Sequence, residues 1–148
     1  MSALSAAKAI LEADATLLAT ATGGIWDLDE AGPNGLSRTT TGAAFDANEI
    51  VKPALLLKSR GERPDGQLVD EAEQYNSTRE PLEIYAYQDS GYDDIQTMLD
   101  RCYVLLQAQQ LTGTFMALWG GRSPQTHDEA LGANVQRDEY IIHASKGA

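Results

Sequence analysis

Cys102 is the only cysteine of the chain and the first residue to ask for chemistry. A thiol nucleophile needs a base within reach and surroundings that favour the thiolate. Cys102 falls instead on an apolar stripe, Ile95, Met98, Leu99, Cys102, Leu105 and Leu106, that recurs at helical spacing. Burial on such a stripe raises the thiol pKa and blunts it, so Cys102 reads as core packing. His127-Asp128-Glu129 has the residue types of a metal or acid–base cluster. Adjacent residues rarely converge on one point, and the other histidine, His143, lies in a strand candidate, so a solvated loop is the expectation.

Asp70, Glu71 and Glu73 cluster closely enough to suggest a cation site, but no calcium-loop pattern surrounds them and a charged, solvated loop accounts for them equally. Gly23-Gly24 and Gly120-Gly121 lack the spacing and the Lys-Ser/Thr ending of a phosphate-cradling loop and read as turns. The chain is therefore expected to carry no catalytic residue, no cofactor-binding residue and no metal ligand, and not to be an enzyme. What remains are aromatic side chains with polar handles, Tyr85 and Tyr87 on one strand face and Trp119 beside a double glycine. Such residues favour interfaces, although cover by helices of the same chain explains them as well.

Charge narrows the partners. Against 11 basic residues stand 22 acidic ones, a formal charge of -11 in 148 residues. Binding a polyanion by counterion release needs clustered Lys and Arg, so sequence-specific DNA binding is not expected. Acidity serves solubility, or repels a polyanion passing close by. A single cysteine excludes an internal disulfide, and 43% hydrophobic residues suffice for one core. No apolar run approaches the roughly 20 residues that span a bilayer, and Met1 to Ser5 carries no basic region leading into an apolar core, so neither a membrane span nor export is expected.

The elements that must position these residues follow from periodicity. Residues 5–19 are rich in helix formers, with Ile10, Ala13, Leu17 and Leu18 on one stripe. Gly23-Gly24 ends this helix, and Trp26 and Leu28 then alternate with Asp27 and Asp29 as in a half-buried strand. Residues 30–48 read as a surface loop of Gly, Pro, Asn, Ser and Thr. A strand follows over 50–58, where Pro53 favours an edge position or a start near 54. Residues 61–79 read as a long polar hairpin connection. In 81–88, Leu82, Ile84 and Ala86 share one face, and Glu83, Tyr85 and Tyr87 the other. Asp93 and Asp94 open a second helix, and 114–119 and 139–143 form two strands that pair across a long connection at 120–138. The expected architecture is one α+β domain over 1–148, in the order α-β-β-β-α-β-β, with two helices on a mostly antiparallel sheet of about four to five strands.

Scattered phrases along this layout resemble the tail-terminator or tail-completion proteins of long-tailed bacteriophages. They are Ala-Ile-Leu-x-Ala-Asp-x-x-Leu-Leu from Ala9 to Leu18, Gly24-Ile25-Trp26-Asp27, Ile-x-Lys-Pro from Ile50 to Pro53, and Glu83-Ile84-Tyr85-Ala86-Tyr87. Gly91-Tyr92-Asp93-x-Ile95 and Arg137-Asp138-Glu139-Tyr140 extend the resemblance to nearly the whole chain. It implies a homohexameric ring that caps the tail tube, stops its polymerisation and offers a docking surface to the filled head, with DNA passing through the lumen without sequence-specific binding. The implied partners are other copies of the chain, the tube protein and a head–tail connector or stopper. The implied location is the virion, reached after assembly in the host cytoplasm. The alternatives are a neighbouring neck protein, a stopper or an adaptor, and after these a small binding module.

A closed ring joins two different patches of one subunit. The expected interface residues are Trp26 and Asp27 on the first strand, Tyr85 and Tyr87 on the sheet, and Arg60, Arg63 and Asp70 in or beside the 61–79 loop. The long 30–48 and 61–79 segments are expected to reach neighbouring subunits or the tube.

Overall fold

A computed structural model describes residues 3–69, 74–111 and 116–147. The first helical stretch is two helices, α1 (Ala3–Glu12) and α2 (Ala15–Thr20). Asp14 causes the break: its backbone is extended and its side chain accepts the Leu17 amide at 2.8 Å, so it ends one helix by capping the next. The break rotates the apolar stripe. Ala6, Ala7, Leu11 and Leu17 are buried, while Leu18 is exposed.

Strand β1 (Ile25–Asp27) is shorter than its alternation implied, because Asp27 caps a short helix, α3 (Leu28–Ala31), in a reciprocal capping box with Glu30. The chain then runs through an irregular segment containing a 3-10 turn at Gly42–Ala44 and enters β2 (Ala54–Ser59) directly after Pro53. β2 is not an edge: it lies between β1, parallel to it, and β4 (Gln74–Gln88), antiparallel. Pro53 is tolerated because it precedes the ladder, where its carbonyl accepts the Gly23 amide at 2.8 Å.

Two expected connections are strands. Residues 61–79 contain β3 (Arg63–Val69) and the first part of β4, and the 120–138 segment contains the end of β5 (Met116–Arg122), β6 (Thr126–Asp128) and the start of β7 (Ala133–Gly147). Hydrophobic alternation marks a strand only where one face meets an apolar core. The first part of β4 is hydrogen-bonded on both sides, to β3 and to β7, and needs no such pattern. The start of β7 faces inward with Gln136 and Asp138, polar groups held by other side chains.

Among the described residues the sheet has seven strands in the order β1-β2-β4-β7-β5, with β3 continuing along β4 beyond β2, and β6 along β7 beyond β5. Apart from the parallel β1–β2 pair, the pairs are antiparallel. This is an α+β fold with four α-helices among the described residues. Helices α1, α2 and α4 (Asp93–Leu106) cover one face, burying Leu55, Leu57, Leu82, Ile84, Tyr140 and Ile142. The segment between β1 and β2 covers one end of the other face, packing Leu36, Phe45 and Val51 on Ala54, Leu56 and Tyr87. No helix among the described residues is long and apolar enough to cross a membrane.

Candidate assembly interface

The expected chemical groups come apart in three dimensions. Cys102 is fully buried on the core-facing side of α4, and desolvation pushes its thiol far above the ordinary value. His127 Nδ1 lies 3.1 Å from Asn134 Oδ1, Asp128 accepts the Leu131 amide, and Glu129 is exposed, so the three side chains do not converge. Among the described residues no group of three His, Cys, Asp or Glu could hold a metal ion. Asp70, Glu71 and Glu73 lie outside the described residues.

Gly23-Gly24 is a turn packed against the start of β2, where a Cβ on Gly23 would stand 2.9 Å from Ala54 Cβ. Gly120-Gly121 is not a turn but a bulge inside β5, where the register with β7 shifts between Trp119 and Gly121. The bulge has a purpose visible in the pairing. Leu118 and Gly121, opposite Ile141 and Glu139, lie on the open face, while Trp119 and Arg122, opposite Tyr140 and Asp138, lie on the helix face. One inserted residue thus turns Arg122 inward onto Asp138.

The open face, away from the helices, carries several of the expected interface residues. Cross-strand register sets Trp26, Leu56, Tyr85 and Arg137 in one row across four strands. Trp26 is part of the fold, since its ring packs on the cluster around Leu56 and its indole N–H donates to the Gly23 carbonyl at 2.8 Å. Asp27 is likewise engaged, capping α3 and standing 3.6 Å from Lys8 Nζ. Tyr87 is 6% exposed, and burial raises its hydroxyl pKa. Tyr85 is half-buried and donates to Glu83 Oε2 at 3.2 Å. Asp70 lies outside the described residues.

The next row toward the β3 end is charged: Lys58, Glu83, Glu139 and Gly121. Two carboxylates directly opposite repel unless cations intervene. Arg137 pairs with Glu83, and the Arg60 guanidinium lies 3.9 Å from Glu83 and 3.8 Å from Glu139. Hydrogen bonds from Arg137 to Tyr85, and its attraction to Glu83, raise its pKa. Beyond this belt lie Pro81, Ile141 and Leu118, then Arg63, Arg79, His143 and Met116. Met116 and Leu118 are 39% and 38% exposed, and Arg63 and Arg79 are exposed.

The structure brings Arg60, Arg63 and Tyr85 onto the face that also carries Trp26 and Tyr87, while Trp26, Asp27 and Tyr87 in addition take part in packing and capping within the fold. Arg79, Arg137, Met116 and Leu118 complete that face and were not expected on it. Their only signal is register, because the like-charged row of Arg63 and Arg79 exists only once β3 is paired with β4. Trp119, the other exposed aromatic, meets Tyr103 edge-on at 5.8 Å between ring centroids on the helix side.

No family model matches the chain, and no curated relative does. Among solved structures, a chain from the virion of a native gene transfer agent particle is similar, with a TM-score of 0.60 and 12% identity. The similarity covers 97% of this chain and 94% of that one. At that identity the shared property is the fold.

Proposed function

We propose that this chain is a structural subunit of a virion, and that it forms a ring which caps a tail tube, ends its growth and receives the head. The observation that carries the virion reading is the nearly end-to-end likeness to a chain of a gene transfer agent virion. The ring and its place on the tube come from the resemblance to tail terminators in the phrases from Ala9 to Tyr140. The ring's partners are other copies of the chain, the tube protein and a head–tail connector. Physics is consistent with a lumen for DNA: a subunit with a charge of -11 repels a polyanion in transit, whereas a basic channel would grip it.

The test is the native mass and negative-stain image of the purified protein, alone and after mixing with tail tubes made in its absence. Closed six-fold rings, free or on tube ends, are the expected result. A protein that ignores the tubes but binds the connector would overturn the terminator assignment in favour of a stopper or adaptor. A persistent monomer that binds neither would overturn the virion reading.

A further inference from the structure

Among the described residues the open face carries an arginine pair with no ion-pair partner. Arg63 and Arg79 stand directly opposite one another in the β3–β4 ladder, and His143 on β7 is opposite Arg79. Like charges in directly opposed positions are destabilising in an isolated sheet. Among the described residues neither arginine has an ion-pair partner, in contrast to Arg60 and Arg137, which pair with Glu83 two rows further in. Between these rows lies the apolar strip of Pro81, Ile141 and Leu118, with Met116 beside it in the arginine row.

The opposite end of the same sheet is acidic. Asp89 follows the last residue of β4, Asp94 lies in the first turn of α4, and Glu129 lies in the turn between β6 and β7. The Asn134 side chain donates to the Gly91 carbonyl at 3.0 Å, which ties the two turns together. Lys52 precedes β2 at the same end of the sheet. Ten residue steps along β4 lead from Arg79 to Asp89, about 34 Å at the usual rise per residue. That is several times the screening length of about 8 Å at physiological salt, so the two ends cannot neutralise each other within one molecule.

We propose that the Arg63–Arg79 row and the Pro81/Ile141/Leu118 strip form the docking surface for the acidic Asp89/Glu129 end of a second copy of this chain. Exposed arginine beside exposed apolar area has the make-up of a protein interface. The contact joins unlike patches, so repetition builds a head-to-tail series, which closes into a ring where the rotation between copies permits. The inference deepens the self-assembly reading and rests on it for the choice of a second copy as occupant.

Two charge reversals test it by sedimentation and native mass. Arg63→Glu with Arg79→Glu spoils the face, and Asp89→Lys with Glu129→Lys spoils the end; these four side chains are exposed. Each variant alone is expected to associate on the order of tenfold more weakly than wild type, which itself weakens with added salt. An equimolar mixture of the two variants is expected to recover association, because every contact then joins a restored pair. Failure of the mixture to recover, with both variants folded by circular dichroism, would overturn the proposal, as would a wild type that stays monomeric at its solubility limit.

A charge-preserving variant guards against misfolding. With Arg79→Lys, a carbodiimide is expected to couple position 79 to Asp89 or Glu129 of another copy, a link that about 34 Å forbids within one chain. Absence of that cross-link in an associating sample overturns the face-to-end contact. Association that follows the charge swap but yields open chains would leave this contact standing and overturn the ring.

Discussion

Arg122 holds Asp138 through two parallel N–H···O bonds, Nε to Oδ1 at 2.7 Å and Nη2 to Oδ2 at 3.0 Å, at a point where Asp138 is 0% exposed. The same guanidinium donates through Nη1 to Gln96 at 3.1 Å and Asp100 at 3.0 Å on α4, so one side chain from β5 ties β7 to the helix layer. These bonds raise the Arg122 pKa further above its ordinary value, chiefly through Asp138. Removing one partner of a buried pair strands the other charge, which costs about 3–5 kcal/mol. Arg122→Met is expected to lower unfolding free energy by roughly that amount in urea titrations, and adding Asp138→Leu to recover much of it. A single substitution that leaves stability unchanged would show that the pair does not anchor β5.

Asp14 makes acid stability measurable. Paired Arg101 bonds, Nε at 2.9 Å and Nη2 at 2.8 Å, together with the Leu17 amide, hold its carboxyl at about 2 against an ordinary 3.8. Asp93 is also lowered, by the Gln88 side-chain amide and then by the Asp94 amide. A depressed folded pKa adds stability that is complete above the unfolded value and is lost as pH falls through the folded one. The loss from Asp14 therefore lies between about 4 and 2. Asp14→Asn keeps the helix cap, and is expected to flatten the decline of the urea midpoint across that window. An unchanged slope would assign the acid sensitivity to other carboxylates.

Tyr140 presents the opposite case. Its hydroxyl is buried, its pKa is raised by desolvation, and among the described residues it has no hydrogen-bond partner. An unpaired buried hydroxyl costs free energy, so Tyr140→Phe is expected to be neutral or to stabilise by about 1 kcal/mol. A loss well beyond that in thermal or urea melts would reveal a partner for the hydroxyl.

Cys102 offers a quick check of the α4 packing. The thiol is 0% exposed with its pKa pushed up, so an alkylating reagent at neutral pH is expected to modify it only in urea. Rapid labelling of the native protein would mean that α4 does not seal the sheet as described.

The central elements were legible because each carries its own period. Leu82, Ile84 and Ala86 alternate toward the helices, and Ile95, Met98, Leu99 and Cys102 repeat at helical spacing toward the sheet. Pro53 marked the start of β2, and the pairing of β5 with β7 followed from two apolar runs. The long ladders of β3, β4 and β7 were not legible, since Gln74, Arg79, Gln136 and Asp138 carry no apolar alternation and their strand state depends on partners distant in sequence. The same holds for the break at Asp14, where a cap competed with helix continuation and won.

By itself the sequence determined the α+β class, the acidic charge, the buried thiol and the apolar faces, all properties of local pattern or composition. It also named Arg60, Arg63 and Tyr85 together with Trp26 and Tyr87, which besides lying on the same face pack into the cluster around Leu56. Only the tertiary structure decided which side chains share the open face. That choice rests on strand register, where one inserted residue at Gly120 turns Arg122 inward and one pairing sets Arg63 against Arg79.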